Sequence, residues 1–382
     1  MKTVGIICEY NPFHLGHQKQ LRLIREMVGK ETAIVCLMSG NFVQRGMPAI
    51  FDKSFRAKAA IDCGADLVLE LPVTYALSSA EGFASGGVQM LSPFCDSLCF
   101  GSETGNAEKL LQTAQALLSE EFPFYLHKEL DSGKSFPAAR QAALATMGQE
   151  SDLLNFPNDI LAVEYCKAIL AQHSPMAPMP ILRQGDYHDT APDSENPSAT
   201  AVRALITSAH DWKSCIPEAA YKVFTGATVH TLEAGERAIL ARLRTMSDEE
   251  FEALPFGSEG LWRKLMHNAR SQATLHDILT ATKSKRYTRT RLDRMVMCAY
   301  LGITDEMMNA PVPYVRVLGF SERGIPVLKK ARKHGLFPHI GEKMEHPYQM
   351  LEQHCDDLYA LFASDYPSPA GITDSRRIYF AK

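Results

Sequence analysis

No CxxC pair occurs in this sequence; the closest cysteines are Cys95 and Cys99, and the total of nine is odd. Both facts argue against a disulfide framework or a zinc site. The thiols read instead as small buried apolar groups in a reducing compartment. A dominant charge of one sign is also missing, since 40 basic and 44 acidic side chains leave a net charge of -4. That balance excludes a histone-like binder and leaves room for a local basic patch. No apolar run reaches membrane-spanning length. The opening MKTVGIICEYNPF has neither the long apolar core nor the small-residue cleavage site of a signal peptide. Internal repeats and low-complexity tracts are absent too. What remains is globular and reads as soluble and cytoplasmic. Its 382 residues, 46% hydrophobic and 22% charged, suffice for two or three domains.

The first hundred residues alternate. Thr3–Cys8, Ala33–Met38, Asp66–Leu71 and Asp96–Phe100 are short apolar runs that suit buried strands. Between them, Gln18–Met27, Asp52–Cys63 and Ser79–Leu91 read as helices, with Asp52 as an N-cap and Gly64 as the glycine after the helix end. Continuous apolar strands alternating with helices imply parallel pairing and right-handed crossovers. The fold class is therefore α/β, a doubly wound parallel sheet. In such sheets ligands sit at the carboxyl ends of the strands, near the point where strand order reverses. Residues 9–17, 39–48, 71–79 and 101–105 are the segments to search.

Asn11-Pro12-Phe13-His14-Leu15-Gly16-His17 contains HxGH between the first strand and the first helix. A helix start offers unsatisfied N–H groups and partial positive charge to a phosphate. Gly16 allows close approach of a ligand to the backbone, and two imidazoles can stabilise charge growing on phosphate oxygens. The alternative is that one histidine caps the turn and the other packs beneath it. A second element, Ser198-Ala199-Thr200-Ala201-Val202-Arg203, is hydroxyl-rich and ends in arginine at a helix start. Its hydroxyls and Arg203 can grip terminal phosphates, or it is an N-cap followed by a solvated arginine. In one chain the two elements form a two-part signature.

HxGH with a downstream SxTxxR resembles the HxGH nucleotidylyltransferase superfamily, whose members attack the α-phosphate of a nucleoside triphosphate and release pyrophosphate. More narrowly, EYNPFHLGH (9–17), the block 38–73, CFGSE (99–103), PNDILAVEY (157–165) and YVRVLGF (314–320) are similar to the bacterial tRNA(Met) cytidine acetate ligase family. The resemblance implies a two-step reaction. Acetate and ATP give acetyl-adenylate, and the acetyl group then passes to the wobble cytidine of elongator tRNA(Met), yielding N4-acetylcytidine. It implies an ATP-binding stretch Ile7, Cys8, Glu9, Tyr10, Asn11, Pro12, Phe13, His14, Leu15, Gly16, His17, Gln18, Lys19 and Gln20. Further ATP contacts fall at Gly101, Asn158 and Arg183, with Ser198 and Thr200 toward the phosphates. His14, His17 and Arg203 are the expected catalytic groups, and Mg²⁺ is expected to accompany ATP. No protein-held metal site is expected.

The sequence departs from the family pattern in places. Leu15 stands where relatives often carry Asn, and Cys8 where a small residue is usual. Asp159 replaces the Asn of PNNIL, and the run Gln184-Gly185-Asp186-Tyr187-His188 looks shortened. Between the second and third strands, Arg45 lies in a glycine-punctuated loop and Lys53, Arg56 and Lys58 follow on a helix. These residues are either a solvated basic face or a wall for acetate or the tRNA anticodon arm.

Beyond about residue 205 helical patterns dominate, over Leu232–Met246, Asp248–Leu254, Gly260–Ser271, Thr274–Thr282 and Arg291–Leu301. The expected division is 1–205, a nucleotidylyltransferase-like ATP-binding catalytic domain, and 206–382, a mainly helical tRNA-binding domain. Gly185–Pro197 is the polar connection. Lys283 to Arg294 holds six basic residues in twelve. Lys283, Lys285, Arg286, Arg289 and Arg291 would neutralise phosphates while Tyr287 stacks on an unpaired base, unless the run is only a solvated helix start. His267 and His276 nearby read as ordinary helix residues. Two other functions share parts of this pattern. A small-molecule adenylyltransferase would need no basic helical half, and a non-catalytic RNA-binding protein would release no pyrophosphate. Oligomeric state is not legible.

Overall fold

The computed structural model describes residues 1–183, 198–284, 287–332, 338–339, 346–365, 369 and 378–381. Its centre is a sheet built from β1 (Thr3–Cys8), β2 (Ala33–Ser39), β5 (Leu67–Leu71), β6 (Ser97–Ser102), β7 (Ala177–Leu182), β8 (Val315–Ser321), β9 (Pro338–His339) and β10 (Tyr379–Ala381). The order is β10-β8-β5-β2-β1-β6-β7, with β9 beside β8. A separate two-stranded hairpin, β3 (Phe42–Val43) and β4 (Met47–Pro48), rises from the loop after β2.

All pairings in the large sheet are parallel except β5 with β8. From β1 the chain adds β2 and β5 on one side, then returns to place β6 and β7 on the other. The strand order therefore reverses between β1 and β6, which are neighbours, and the crevice above their carboxyl ends is where such sheets bind ligands.

Both faces of the sheet are covered, as its continuous apolar strands require. Along β2, Ala33, Val35 and Leu37 face one core with Phe83, Val88, Leu91, Leu110 and Val163. Ile34, Cys36 and Met38 face the other, with Leu21, Ile24, Ala57 and Ala60. The two-residue alternation sorts one buried strand between two helical layers. A third core joins the helices Leu232–Thr245, Leu261–Ser271, Leu275–Thr282 and Arg289–Leu301 to Phe42, Leu77, Tyr359 and Phe362.

The helix-rich region after residue 205 is present, and Ser247 and Glu250 form the capping box its sequence suggests. The boundary at 205/206 is nevertheless not a boundary in the sheet, because β8, β9 and β10 come from the last third of the chain. β6 also runs one residue past Gly101, to Ser102. Lys53 and Arg56 are not a solvated face. Lys53 is 3% exposed and Arg56 fully buried, while only Lys58 lies at the surface, paired with Asp62. Among the described residues no helix is long and apolar enough to cross a membrane.

Candidate active site

His14 is the N-cap of the helix Leu15–Val28, and its side chain accepts from Gly16 N. Nδ1 of His14 lies 3.1 Å from Gly16 N, and Nδ1 of His17 accepts from His14 N at 3.2 Å. The two rings stack with centroids 3.7 Å apart. Each neutral imidazole therefore spends its Nδ1 lone pair on the backbone, which places its proton on Nε2. Neither Nε2 has a partner among the described residues. The backbone contacts thus use one nitrogen of each ring and leave the other to face away from them. Gly16 is required for a reason the sequence did not disclose: a Cβ there would stand 2.9 Å from His14 Cε1.

Both imidazoles are held neutral. Burial, then the guanidinium groups of Arg183 and Arg203, pull His14 down to about 3. His17 is lowered well below its ordinary value by burial, by His14 and by Arg183. The dependence on Arg183 and Arg203 places both guanidinium groups in the electrostatic neighbourhood of the motif. Arg203 extends from the helix Ala199–Thr207, capped by Ser198. Its NH1 donates to Asn11 O at 2.7 Å and its NH2 to Thr200 Oγ1 at 3.1 Å.

The rest of the 7–20 stretch is anchored on every side. Tyr10 and Phe13 are buried against the His17 ring, at 4.8 and 5.6 Å between centroids. Tyr10 holds a left-handed φ of 44°, costly for a bulky side chain and retained here beside the reactive groups. Asn11, joined to Pro12 by a cis bond, accepts Ile50 N on Oδ1 at 2.8 Å. Glu9 accepts Gln44 N at 3.0 Å, and fully buried Arg56 donates to the carbonyls of Glu9, Ser39, Gly40 and Phe51. Cys8 Sγ points to Leu37 O at 3.7 Å, and Gln20 Nε2 reaches Cys99 Sγ at 3.7 Å. Ile7 abuts Gly87, and Leu15, Gln18 and Lys19 are half-buried along the helix.

Gly101, Asn158 and Arg183 come together on the β6–β7 side. Arg183 NH1 donates to Asn158 Oδ1 at 3.0 Å, and its stem crosses Gly101 so closely that a Cβ would lie 2.9 Å from Arg183 Cδ. Sequence reasoning missed what fixes this trio. Glu103 accepts Asn158 Nδ2 at 2.6 Å and Asp159 N at 2.8 Å, sealing the start of the helix Pro157–Ala171. Asp159 returns the contact, accepting from Ser102 Oγ at 2.5 Å and Glu103 N at 3.0 Å. The only sequence signal was Asp159 in the first turn of its helix.

A second missed cluster supports the loop after β2. Lys53 bridges Glu70 at 2.8 Å and Asp356 at 2.7 Å. Asn41 donates to Asp356 at 2.9 Å, and Tyr314 OH to Glu352 at 2.5 Å. Burial alone would depress the Lys53 ammonium, but Asp356 and Glu70 outweigh it and raise it. Burial and Glu70 push Glu352 up to about 7, and burial lifts Asp356 to about 6.

The basic run near 283–294 is partly consumed by the fold. Arg289 pairs with Asp293 at 2.8 Å, and Arg291 donates to Phe256 O at 2.7 Å. Arg294 is 9% exposed. Tyr287 donates to Glu259 at 2.8 Å under the Arg291 guanidinium. Lys283 is exposed at the end of the helix Leu275–Thr282. Lys285 and Arg286, like the connection Gly185–Pro197 and the run Gln184–His188, lie outside the described residues. His267 and His276 sit exposed on helices. No group of three or more His, Cys, Asp or Glu among the described residues could hold a metal ion.

The chain matches the HIGH Nucleotidyl Transferase family over residues 1–371. It is 36% identical over 372 residues to the tRNA(Met) cytidine acetate ligase of Alkaliphilus metalliredigens, covering 89% of this chain and 87% of that one. To the protein of the same name from Clostridium novyi it is 35% identical over 357 residues, covering 88% and 89%. The fold is similar to the crystal structure of apo Thermotoga maritima TmcAL, with a TM-score of 0.91 and 31% identity over 100% of this chain and 99% of that one. The same Thermotoga protein bound with alpha-thio ATP gives a TM-score of 0.88 at 31% identity, with the same coverage.

Proposed function

This chain belongs to the HIGH nucleotidyl transferase family and, within it, to the tRNA(Met) cytidine acetate ligases; from that premise we propose how its residues carry out the ligase reaction. The protein is an ATP-dependent ligase that acetylates tRNA cytidine. In the first step acetate attacks the α-phosphorus of ATP, an O–P bond forms, and pyrophosphate leaves with the electron pair of the broken P–O bond. In the second, the N4 amine of the wobble cytidine of elongator tRNA(Met) attacks the acetyl carbon. The C–N bond forms, AMP departs, and the amine loses a proton.

The observation that carries this reading is the pair of neutral, stacked imidazoles whose Nδ1 atoms are both committed to backbone. Their Nε2–H groups are left as donors whose positions do not depend on substrate. Such preorganised donors stabilise charge as it develops, at about 2.7–4 kcal/mol each in comparable sites. We assign them, with Arg183 and Arg203, to the triphosphate. Ile7–Gln20, Gly101 and Asn158 surround the nucleotide, and Ser198 and Thr200 lie toward its phosphates. Magnesium is assigned to the phosphates of ATP as their counter-ion. Catalysis is assigned to the sheet with residues 1–205 and RNA contact to the helical part of 206–382, and the site of action is the cytoplasm.

Acetate-dependent ATP–pyrophosphate exchange without RNA tests the first step, and mass spectrometry of elongator tRNA(Met) after incubation with acetate and ATP tests the second. Exchange that needs no acetate would remove the ligase assignment.

A further inference from the structure

Arg289 and Arg291, which the sequence marked for RNA, are tied to their own chain, yet one neighbouring surface keeps its cations unspent. The helix Leu261–Ser271 presents Arg263, Lys264 and His267 to solvent. Neither Arg263 nor Lys264 has a carboxylate partner among the described residues. Lys264 Nζ instead donates to the carbonyl of Lys283 at 3.4 Å, which sets the two lysines side by side. The Arg263 guanidinium lies 4.8 Å from the centre of the Trp262 ring, and Trp262 is packed on its inner side against the helical core. The outer side of that guanidinium is a flat cationic platform.

Three acids near this surface already have partners. Glu259 accepts from Tyr287 at 2.8 Å, Asp293 pairs with Arg289 at 2.8 Å, and Asp248 pairs with Arg270 at 2.7 Å. A neighbouring helix links the surface to the β3–β4 hairpin. Beyond Lys283 and Tyr287 runs the helix Arg289–Leu301. Its Asp293–Arg294 backbone is met by Gly46, at the tip of the β3–β4 hairpin, where a Cβ would stand 2.5 Å away. Arg45 is exposed on the same tip. One residue before it, Gln44 N is bonded to Glu9, five positions ahead of His14.

We propose that the outer face of the helix Leu261–Ser271, together with Lys283, is an RNA-docking surface. Arg263 and Lys264 neutralise backbone phosphates, and an unpaired base stacks on the Trp262–Arg263 pair. Charge selects the occupant: unpaired cations beside an aromatic, in a chain of net charge -4, fit a polyanion carrying flat bases. The hairpin that joins this surface to Glu9 fixes the distance from docking site to reacting atoms.

This inference rests on the ligase reading, and the test separates the two. The full-length protein is assayed for acetylation of elongator tRNA(Met) and, in parallel, for acetate-dependent ATP–pyrophosphate exchange, which needs no RNA. Arg263→Gln/Lys264→Gln is expected to raise the KM for tRNA about tenfold at moderate salt and to flatten the salt dependence of binding by about two phosphate contacts. Trp262→Leu should weaken binding with an unchanged salt slope. A wild-type enzyme that exchanges pyrophosphate but acetylates no tRNA would sink the ligase reading itself. Active wild type with an unaltered tRNA KM and salt slope in the double variant overturns the docking surface alone and assigns these charges to another partner, such as an acidic protein. Because Arg263 and Lys264 are exposed, a melting temperature matching wild type is expected of the double variant. Should the double variant melt lower, Arg263→Lys decides. It keeps the charge and loses the stack, so an unchanged tRNA KM in it, as in Trp262→Leu, counts against the base platform.

Discussion

His17 Nδ1 accepts the backbone N–H of His14 at 3.2 Å while the two rings stack at 3.7 Å. The second imidazole of the motif therefore builds the platform on which the first one stands. Both rings are chemically neutral at physiological pH, and both offer Nε2–H rather than positive charge.

Removing the second ring, as in His17→Ala, is expected to slow acetate-dependent ATP–pyrophosphate exchange about a hundred- to thousandfold. His14 loses its backbone support at the same time, so His14→Ala should not add its full effect in the double variant. Near-normal exchange by His17→Ala would remove the imidazoles from the mechanism.

The depressed basicity has a pH signature with a defined sign. Unfolded histidine takes up a proton near pH 6.5, whereas folded His14 resists until about 3. The unfolded state binds more protons across that window, so these groups cost stability as pH falls from about 6.5 to about 3. In the free enzyme, kcat/KM for ATP should show no inflection near 6.5 attributable to these two rings. A titration of the His14 ring by NMR between pH 6 and 7 would contradict this.

Glu103→Gln should loosen both halves of the clasp around Asn158. The helix Pro157–Ala171 loses its anionic cap, at about 1 kcal/mol, and Asn158 is released from its 2.6 Å bond. A higher KM for ATP with a smaller change in kcat is the expected result. Steady-state kinetics of the exchange reaction measure it, and an unchanged KM would show that the clasp does not govern nucleotide binding.

The buried carboxyl of Glu352 titrates in the opposite sense. Its folded pKa, about 7, lies above the ordinary value of 4.5, so the folded state holds the proton longer. Stability contributed by that proton is present below about pH 4.5 and is lost as pH rises toward 7. Glu352→Gln should therefore flatten the pH dependence of the melting temperature over this range. At pH 8 it should be more stable than wild type by about 1–3 kcal/mol.

Gly46 occupies φ 72° with no room for a methyl group against Asp293 and Arg294. Gly46→Ala should cost about 2 kcal/mol or more, read as a lower melting temperature. It should impair tRNA acetylation beyond its effect on pyrophosphate exchange, since it shifts the hairpin between the helical region and Glu9.

Local chemistry was legible in advance. β1, β2 and β5 were found within a residue of their observed ends, and Asp52, Ser79 and Ser247 cap the helices they introduce. Charge was harder to read. Lys53 and Arg56 carry the residue types of a wet helix face and are buried, because carboxylates and carbonyls from distant segments receive them. The partners of Arg291 lie in the loop around Phe256, which no spacing rule connects to it. β8 pairs antiparallel with β5 from nearly 250 positions away, and a hydrophobic run cannot announce which sheet it will join. The HxGH turn was visible as a motif, but the commitment of both Nδ1 atoms to backbone emerged only from geometry.

The sheet that presents HxGH is completed by strands from the opposite end of the polypeptide, and Asn41 is bonded to Asp356 across 315 positions. During translation the strands that complete the sheet are therefore still inside the ribosome when His14 and His17 have long since emerged. Contacts of such separation close late and slowly, so the proposed activation of acetate should depend on the segments from Val315 onward. A version ending before Val315 should release no pyrophosphate, whatever becomes of its grip on RNA.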